Sequence, residues 1–128
     1  SAAIRFRAMS RRATPAMRTL FEEPVAMRSV SYRQGKAVVE ADGIEDWFKG
    51  VASAPAGVLL DERIGAPDIR VDGNLAAVWA YYEFYAGDKF SHCGVDSFQL
   101  GRTEAGWKIL LLADSRRRTG CAQSLGKS

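Results

Sequence analysis

His92, the only histidine of the chain, lies in the segment SHCGVDSFQL (residues 91–100) together with Asp96. An imidazole and a carboxyl group are common partners in general acid–base chemistry. The segment reads as a β-strand, and strand residues an even number apart share one face. His92 and Asp96 therefore point the same way as Phe90, Phe98 and Leu100. Two ionisable groups on a face that large side chains mark as core point to a cavity: mostly apolar walls with a few convergent polar groups.

Along a flat strand the two groups stand ~13 Å apart, at about 3.3 Å per residue. A direct partner must come from a neighbouring strand. Gly87 and Asp88 read as a hairpin turn, and counting outward sets Tyr85 against Phe90, Glu83 against His92, Tyr81 against Gly94 and Trp79 against Asp96. A second hairpin through residues 103–106 sets Leu100 against Ile109, Phe98 against Leu111 and Asp96 against Ala113. In this register Glu83 holds His92 as a general base, and Asp96 is an isolated acid that burial keeps protonated to higher pH. Trp79, Tyr81 and Phe98 would stack on a planar ligand, with Leu111 on the same wall and Tyr32 at the mouth. Core packing and satisfied hydrogen bonds account for the same residues if nothing binds. The opposite face, with Tyr82, Phe84, Val95 and Gln99, is flatter and less charged, as a contact between two copies would be. A bulge would shift the register by one and move residues between the faces.

The elements that must position these groups follow from local signals. Residues 2–12 look helical, with a weak stripe of Ile4, Phe6 and Met9. Thr14 before Pro15 marks the start of a short helix over 15–21. A strand is expected over 25–30, a turn over 31–35 and a returning strand over 36–41. Asp42 and Glu45 have capping-box spacing, and Ile44, Trp47, Phe48 and Val51 form the buried stripe of a helix that Pro55, Ala56 and Gly57 stop. Residues 58–70 read as one strand interrupted near 65–67. Asp72 and Gly73 mark a hairpin, and strands follow over 75–86, 90–100 and 107–115. Helices first and antiparallel strands last is the α+β pattern.

The chain has 128 residues, enough to bury a core as one domain; we assign 1–121 to it and 122–128 to a flexible C-terminal tail. No apolar run approaches 18 residues, so no membrane span is expected, and with no visible signal peptide the expected location is cytoplasmic. The chain starts at Ser1 without a methionine, which leaves room for a leader ahead of it. A net charge of +3, with arginines at 5, 7, 11, 12 and 116–118, lacks the dense basic stripe or motif of a nucleic-acid reader. Cys93 and Cys121 have no CxxC spacing, so Cys93 is expected to pack as a small apolar residue and Cys121 to lie in a polar tail. No metal site and no cofactor motif is visible.

The runs HCGVDSF (92–98), GWKI (106–109) and DSRRRTGC (114–121), with PAMRTLF (15–21) and GIEDWF (43–48) ahead of them, resemble bacterial proteins of the nuclear transport factor 2-like superfamily, nearest its SnoaL-like or "putative lumazine-binding" group. The resemblance implies a cystatin-like α+β barrel: a cone-shaped, curved antiparallel sheet wrapped around N-terminal helices that close a hydrophobic pocket. It also implies a function class that includes ketosteroid isomerases, scytalone dehydratase, polyketide cyclases and proteins that bind without catalysis. Asp96 resembles the strand aspartate that lines the isomerase cavity and donates as a neutral acid. The first helix lacks the tyrosine and the second acid of those isomerases, with only Tyr32 and Asp42 nearby, so the resemblance stops short of steroid isomerisation. The expected function is therefore cofactor-free isomerisation, dehydration or cyclisation of a small hydrophobic or aromatic molecule through His92, Asp96 and Glu83. The alternative is a non-catalytic binding module, homodimeric through the outer sheet face.

Overall fold

The computed structural model describes residues 4–8, 18–52 and 60–125. Among them the elements run β1 (Ile4–Ala8), β2 (Phe21–Arg33), β3 (Lys36–Asp42), α1 (Ile44–Ala52), β4 (Leu60–Ile64), β5 (Asp68–Asp72), β6 (Leu75–Ala86), β7 (Lys89–Thr103) and β8 (Gly106–Ser115). One mixed sheet takes the strands in the order β1-β4-β6-β7-β8-β2-β3, with β5 also paired to β6. Among the described strands, only β2 and β8 run parallel. The fold is mostly strand, with little helix.

The expected helix over 2–12 is corrected: residues 4–8 form β1, antiparallel to β4 from Ile4↔Ile64 to Ala8↔Leu60. The run IRFRA alternates apolar and charged residues, a period of two that suits a strand. Thr14 with Pro15, the helix stop at 55–57 and the residues 126–128 lie outside the described residues. Of the expected helix 15–21, residues 15–17 lie outside the described set, Arg18 is helical, and Phe21 already opens β2. The β2–β3 turn uses Gln34 and Gly35 at φ 54 and 77, the paired left-handed geometry that matches strand twist in a tight hairpin. β4 and β5 lie end to end along one edge of β6, opposite Tyr82–Ala86 and Leu75–Trp79 respectively, so the strand expected over 58–70 is broken at 65–67.

Helix α1 buries Ile44 against Met27 of β2, with Phe21, Val25, Trp47 and Leu112 around them. The Phe21 and Trp47 rings meet edge to face, 6.3 Å between centroids. Arg18 grips both carboxylate oxygens of Glu45 at the helix start. The side chain of Asp42, the expected cap, lies outside the described set.

Two bulges decide which residues share a face. Between β6 and β7 the pairing runs Phe84↔His92 and then Tyr85↔Phe90, leaving Ser91 extra. Between β7 and β8 it runs Gln99↔Leu111 and then Leu100↔Ile109, leaving Leu110 extra. The expected pairs Tyr85–Phe90 and Leu100–Ile109 therefore hold, while every pair between the bulges shifts by one. His92 faces Phe84, and Asp96 faces both Ala80 and Asp114. A single unpaired residue reverses the parity of everything beyond it.

After β8 the chain crosses closely over β7. Tyr82 donates its hydroxyl to the Ser115 carbonyl at 2.7 Å, and a Cβ on Gly94 would sit 1.9 Å from that same oxygen. Arg117 then exchanges two backbone hydrogen bonds of 2.9 Å with Cys93, which brings Cys121 within disulfide reach. Cys93 and Cys121 are bonded, correcting their expected separate roles. The pairing depends on the return path after β8, which no spacing rule encodes. The expected loose tail from 122 onward is held as far as Leu125: Ala122 donates to the Tyr81 hydroxyl at 3.1 Å and Leu125 to Glu83 at 2.9 Å.

Gly94→Ala forces a methyl against a backbone oxygen that cannot step aside. We expect a loss of about 3 kcal/mol or more, seen as a fall in Tm of about 10 °C or more by calorimetry. An unchanged Tm would contradict the close crossing.

Candidate active site

The face that carries Phe84, His92, Asp96, Leu112 and Asp114 opens on a cavity of about 430 Å³. Its apolar wall comes from Phe21 and Met27 of β2, Trp47 of α1, Leu60 of β4, Phe84 and Leu112. Its polar groups include Glu62 from β4, Asp96 from β7, Asp114 from β8, and Arg116 just beyond it, with His92 between the aromatic and polar parts.

Asp96 is 2% exposed, and burial pushes its carboxyl up to about 10, with the neighbouring Glu62 and Asp114 adding to the rise. Asp96 shares a hydrogen bond with Glu62, which burial also shifts upward. Two carboxyl groups in hydrogen-bond contact away from water cannot both ionise, so one proton stays in the pair. The bond raises Asp96 and lowers Glu62, which places the proton on Asp96 as donor. The other Asp96 oxygen, Oδ2, has no hydrogen-bond partner. Arg116 lies 3.5 Å from Asp114 by Nε to Oδ2. Burial and these three acids raise the hydroxyl of Tyr82 beneath them, which keeps it a proton donor to Ser115.

His92 stacks on Phe84 at 5.0 Å and meets the Tyr82 ring edge-on at 5.8 Å. Burial pushes its imidazole down to about 4, and Arg116 and Arg118 add to the fall. It is neutral at pH 7. Its Nδ1 lies 3.0 Å from Ser91 Oγ.

The structure brings His92 and Asp96 to the cavity and places Phe98 on the same face, opposite Val78 and Leu112. It does not bring the other expected residues there. Glu83 lies opposite Cys93 on the far face, fully buried, where the hydroxyls of Tyr81 and Tyr85 donate to it at 2.7 and 3.0 Å. Tyr81 and Trp79 share that far face, as does Leu111 opposite Gln99. Tyr32 is 74% exposed on β2. Tyr82 and Phe84, expected on the outer face, look toward the cavity. Apart from Tyr32, these displacements follow from the bulges at Ser91 and Leu110. Sequence reasoning missed Glu62, Asp114 and Arg116. The available signal was an acid inside an apolar strand, in LLDERI and LLLADS, read there without its register. Among the described residues no cluster of His, Cys, Asp and Glu could hold a metal ion, and no helix is long and apolar enough to cross a membrane.

No family model and no curated protein matches the sequence. Solved structures do match the fold. An NTF2-like protein with a cystatin-like fold from Novosphingobium aromaticivorans has a TM-score of 0.61 at 16% identity, covering 91% of this chain and 76% of its own. An NTF2-like protein of unknown function from Shewanella baltica OS155 has a TM-score of 0.58 at 15% identity, covering 81% and 77%. A β subunit assigned to an aromatic-ring-hydroxylating dioxygenase of Novosphingobium aromaticivorans DSM 12444 has a TM-score of 0.66 at 13% identity, covering 92% and 85%. The protein therefore has the NTF2-like, cystatin-like fold.

A carboxyl group kept neutral in the folded state weakens folding as the unfolded chain ionises. Asp96 carries no such cost below about pH 4 and loses stability as pH rises from about 4 to about 10, at up to about 1.4 kcal/mol per pH unit. Asp96→Asn removes that loss. Urea unfolding of both proteins should show the variant gaining on the wild type between pH 5 and pH 8; a gap that stays constant would mean that Asp96 is ionised in the fold.

Proposed function

We propose that the cavity binds a small, largely apolar, aromatic molecule and catalyses a cofactor-free acid–base reaction on it: isomerisation, dehydration or cyclisation. The proton-sharing Glu62–Asp96 pair in an otherwise apolar chamber carries this reading. Asp96 holds the proton and Glu62 accepts from it. The pair can therefore deliver one proton to a substrate oxygen and receive another from carbon, ending each turnover with its proton count unchanged. His92, neutral and stacked on Phe84, acts as a hydrogen-bonding wall and a weaker base than free imidazole. Phe84 and Trp47 take the stacking role expected of Trp79 and Tyr81. The sheet is proposed to close as a cone around α1, and the nearest relatives are proposed to be SnoaL-like. The Cys93–Cys121 bond favours an oxidising compartment over the cytoplasm expected from the sequence.

A screen of small aromatic molecules, read by the fluorescence and NMR signals of Trp47, tests binding. Asp96→Asn and Glu62→Gln should each lower turnover of a substrate so found by about 10²–10⁴-fold. Turnover that survives both substitutions would overturn the catalytic assignment, and leave the binding module.

A second reading concerns the outer face. Trp79 is 60% exposed there and shares that side with the exposed Leu75, Val30 and Val39. We propose that a second copy of the chain covers it, with a small molecule as the other partner and no nucleic acid. Light scattering should give twice the chain mass, falling to one for Trp79→Arg; a monomeric wild type at high concentration would rule the contact out.

A further inference from the structure

The charges around the cavity narrow the ligand class, an inference that rests on the binding reading above. Glu62, Asp96 and Asp114 bring three carboxyl groups to one region of the wall, and Arg116 is the guanidinium beside them. Asp46 and Arg28 also line the cavity, so four carboxyl groups stand against two guanidiniums. The neutral His92 adds no charge, and the Tyr82 hydroxyl is committed to Ser115. Carboxyl groups thus outnumber the cationic side chains of the cavity wall two to one. Asp96 Oδ2 is the buried atom this balance leaves without a partner. A buried acceptor in that position weakens the fold until a donor reaches it. The aromatic wall of Phe21, Trp47 and Phe84 attracts cations through its ring faces.

We propose that the ligand is a small aromatic molecule bearing a protonated amine, whose ammonium N–H groups bond Asp96 Oδ2 and the adjacent carboxylates while its ring lies against Phe84 and Trp47. An alkylammonium enters from water already carrying its proton. Asp96 then gives up its own proton to solvent, the ammonium charge taking that proton's place between the two carboxyl groups, and becomes the carboxylate of an ion pair. One N–H···O⁻ contact forms, one O–H bond is broken, and one proton leaves for each amine bound. Nothing is oxidised or reduced.

Isothermal titration at pH 7 with 2-phenylethylamine, 2-phenylethanol and 3-phenylpropionate, in two buffers of different ionisation enthalpy, tests this directly. The amine should bind about tenfold or more tighter than the alcohol, a gap of about 1.4 kcal/mol, with the carboxylate weakest. The buffer dependence should report release of close to one proton for the amine and none for the alcohol. Asp96→Asn should abolish the release and bring the amine to the level of the alcohol; Asp114→Asn should narrow the gap while keeping the release. Alcohol or carboxylate binding as tightly as the amine would overturn the ammonium assignment and leave the cavity reading standing. Binding of none of the three would overturn both.

Discussion

Strand parity governs this molecule, and two unpaired residues set it. Ser91 and Leu110 each add one residue to one side of a hairpin ladder. Without the first, His92 would face Glu83 and Asp96 would face Trp79. Without the second, Asp96 would face Ala113 instead of Asp114. With both, the stretch of β7 between them pairs its even residues with the even residues of β6 and β8. The aromatic rings of Phe84 and Tyr82 and the carboxyl of Asp114 then gather around His92 and Asp96. A bulge disrupts a ladder locally, and it persists where neighbouring contacts fix it. Here Tyr82, Gly94 and Ser115 interlock within the shifted region.

The sheet buries acids on both sides and treats them differently. Glu83, on the outer side, accepts from Tyr81, Tyr85 and the backbone of Leu125, and the guanidinium of Arg63 lies over the Tyr85 ring at 4.1 Å. Arg63 also donates to Asp61 at 2.9 Å and to the Leu125 carbonyl at 3.0 Å. Buried carboxyl groups of this kind are tolerable because donors surround them. Asp96, on the cavity side, has a second carboxyl as its partner and an oxygen with none. Desolvation without donors drives protonation. An acidic side chain is held by donors on one side and kept protonated on the other because of what surrounds it.

The turn residues, strand positions and helix stripe of α1 were legible in the sequence, since each is a local property: GD at 87–88, TEAG at 103–106, and Ile44 with Trp47 on one helix face. The presence of a polar pair on a buried strand face was legible too, because alternation within one strand survives any slip relative to its neighbours. The partners of that pair were not. Nothing in KFSHCG or KILLLADS marks Ser91 or Leu110 as the residue left out, and both lie in runs compatible with regular pairing. Residues 4–8 were misread for a different reason, the choice between two periods in a short arginine-rich run. Glu62 and Asp114 stood in the sequence as acids within apolar strands, but their convergence on Asp96 arises only from the order β4-β6-β7-β8 and the two shifts.

The segment after β8 ties the chain end to the bulge itself. Arg118 donates to the Ser91 carbonyl at 3.4 Å, Arg117 pairs with Cys93, and the covalent link from Cys93 to Cys121 fastens the far end of the same segment. Arg116, at its beginning, reaches the cavity wall. The segment works as a splint laid across the irregular stretch of β7, and reducing the Cys93–Cys121 bond would free its far end.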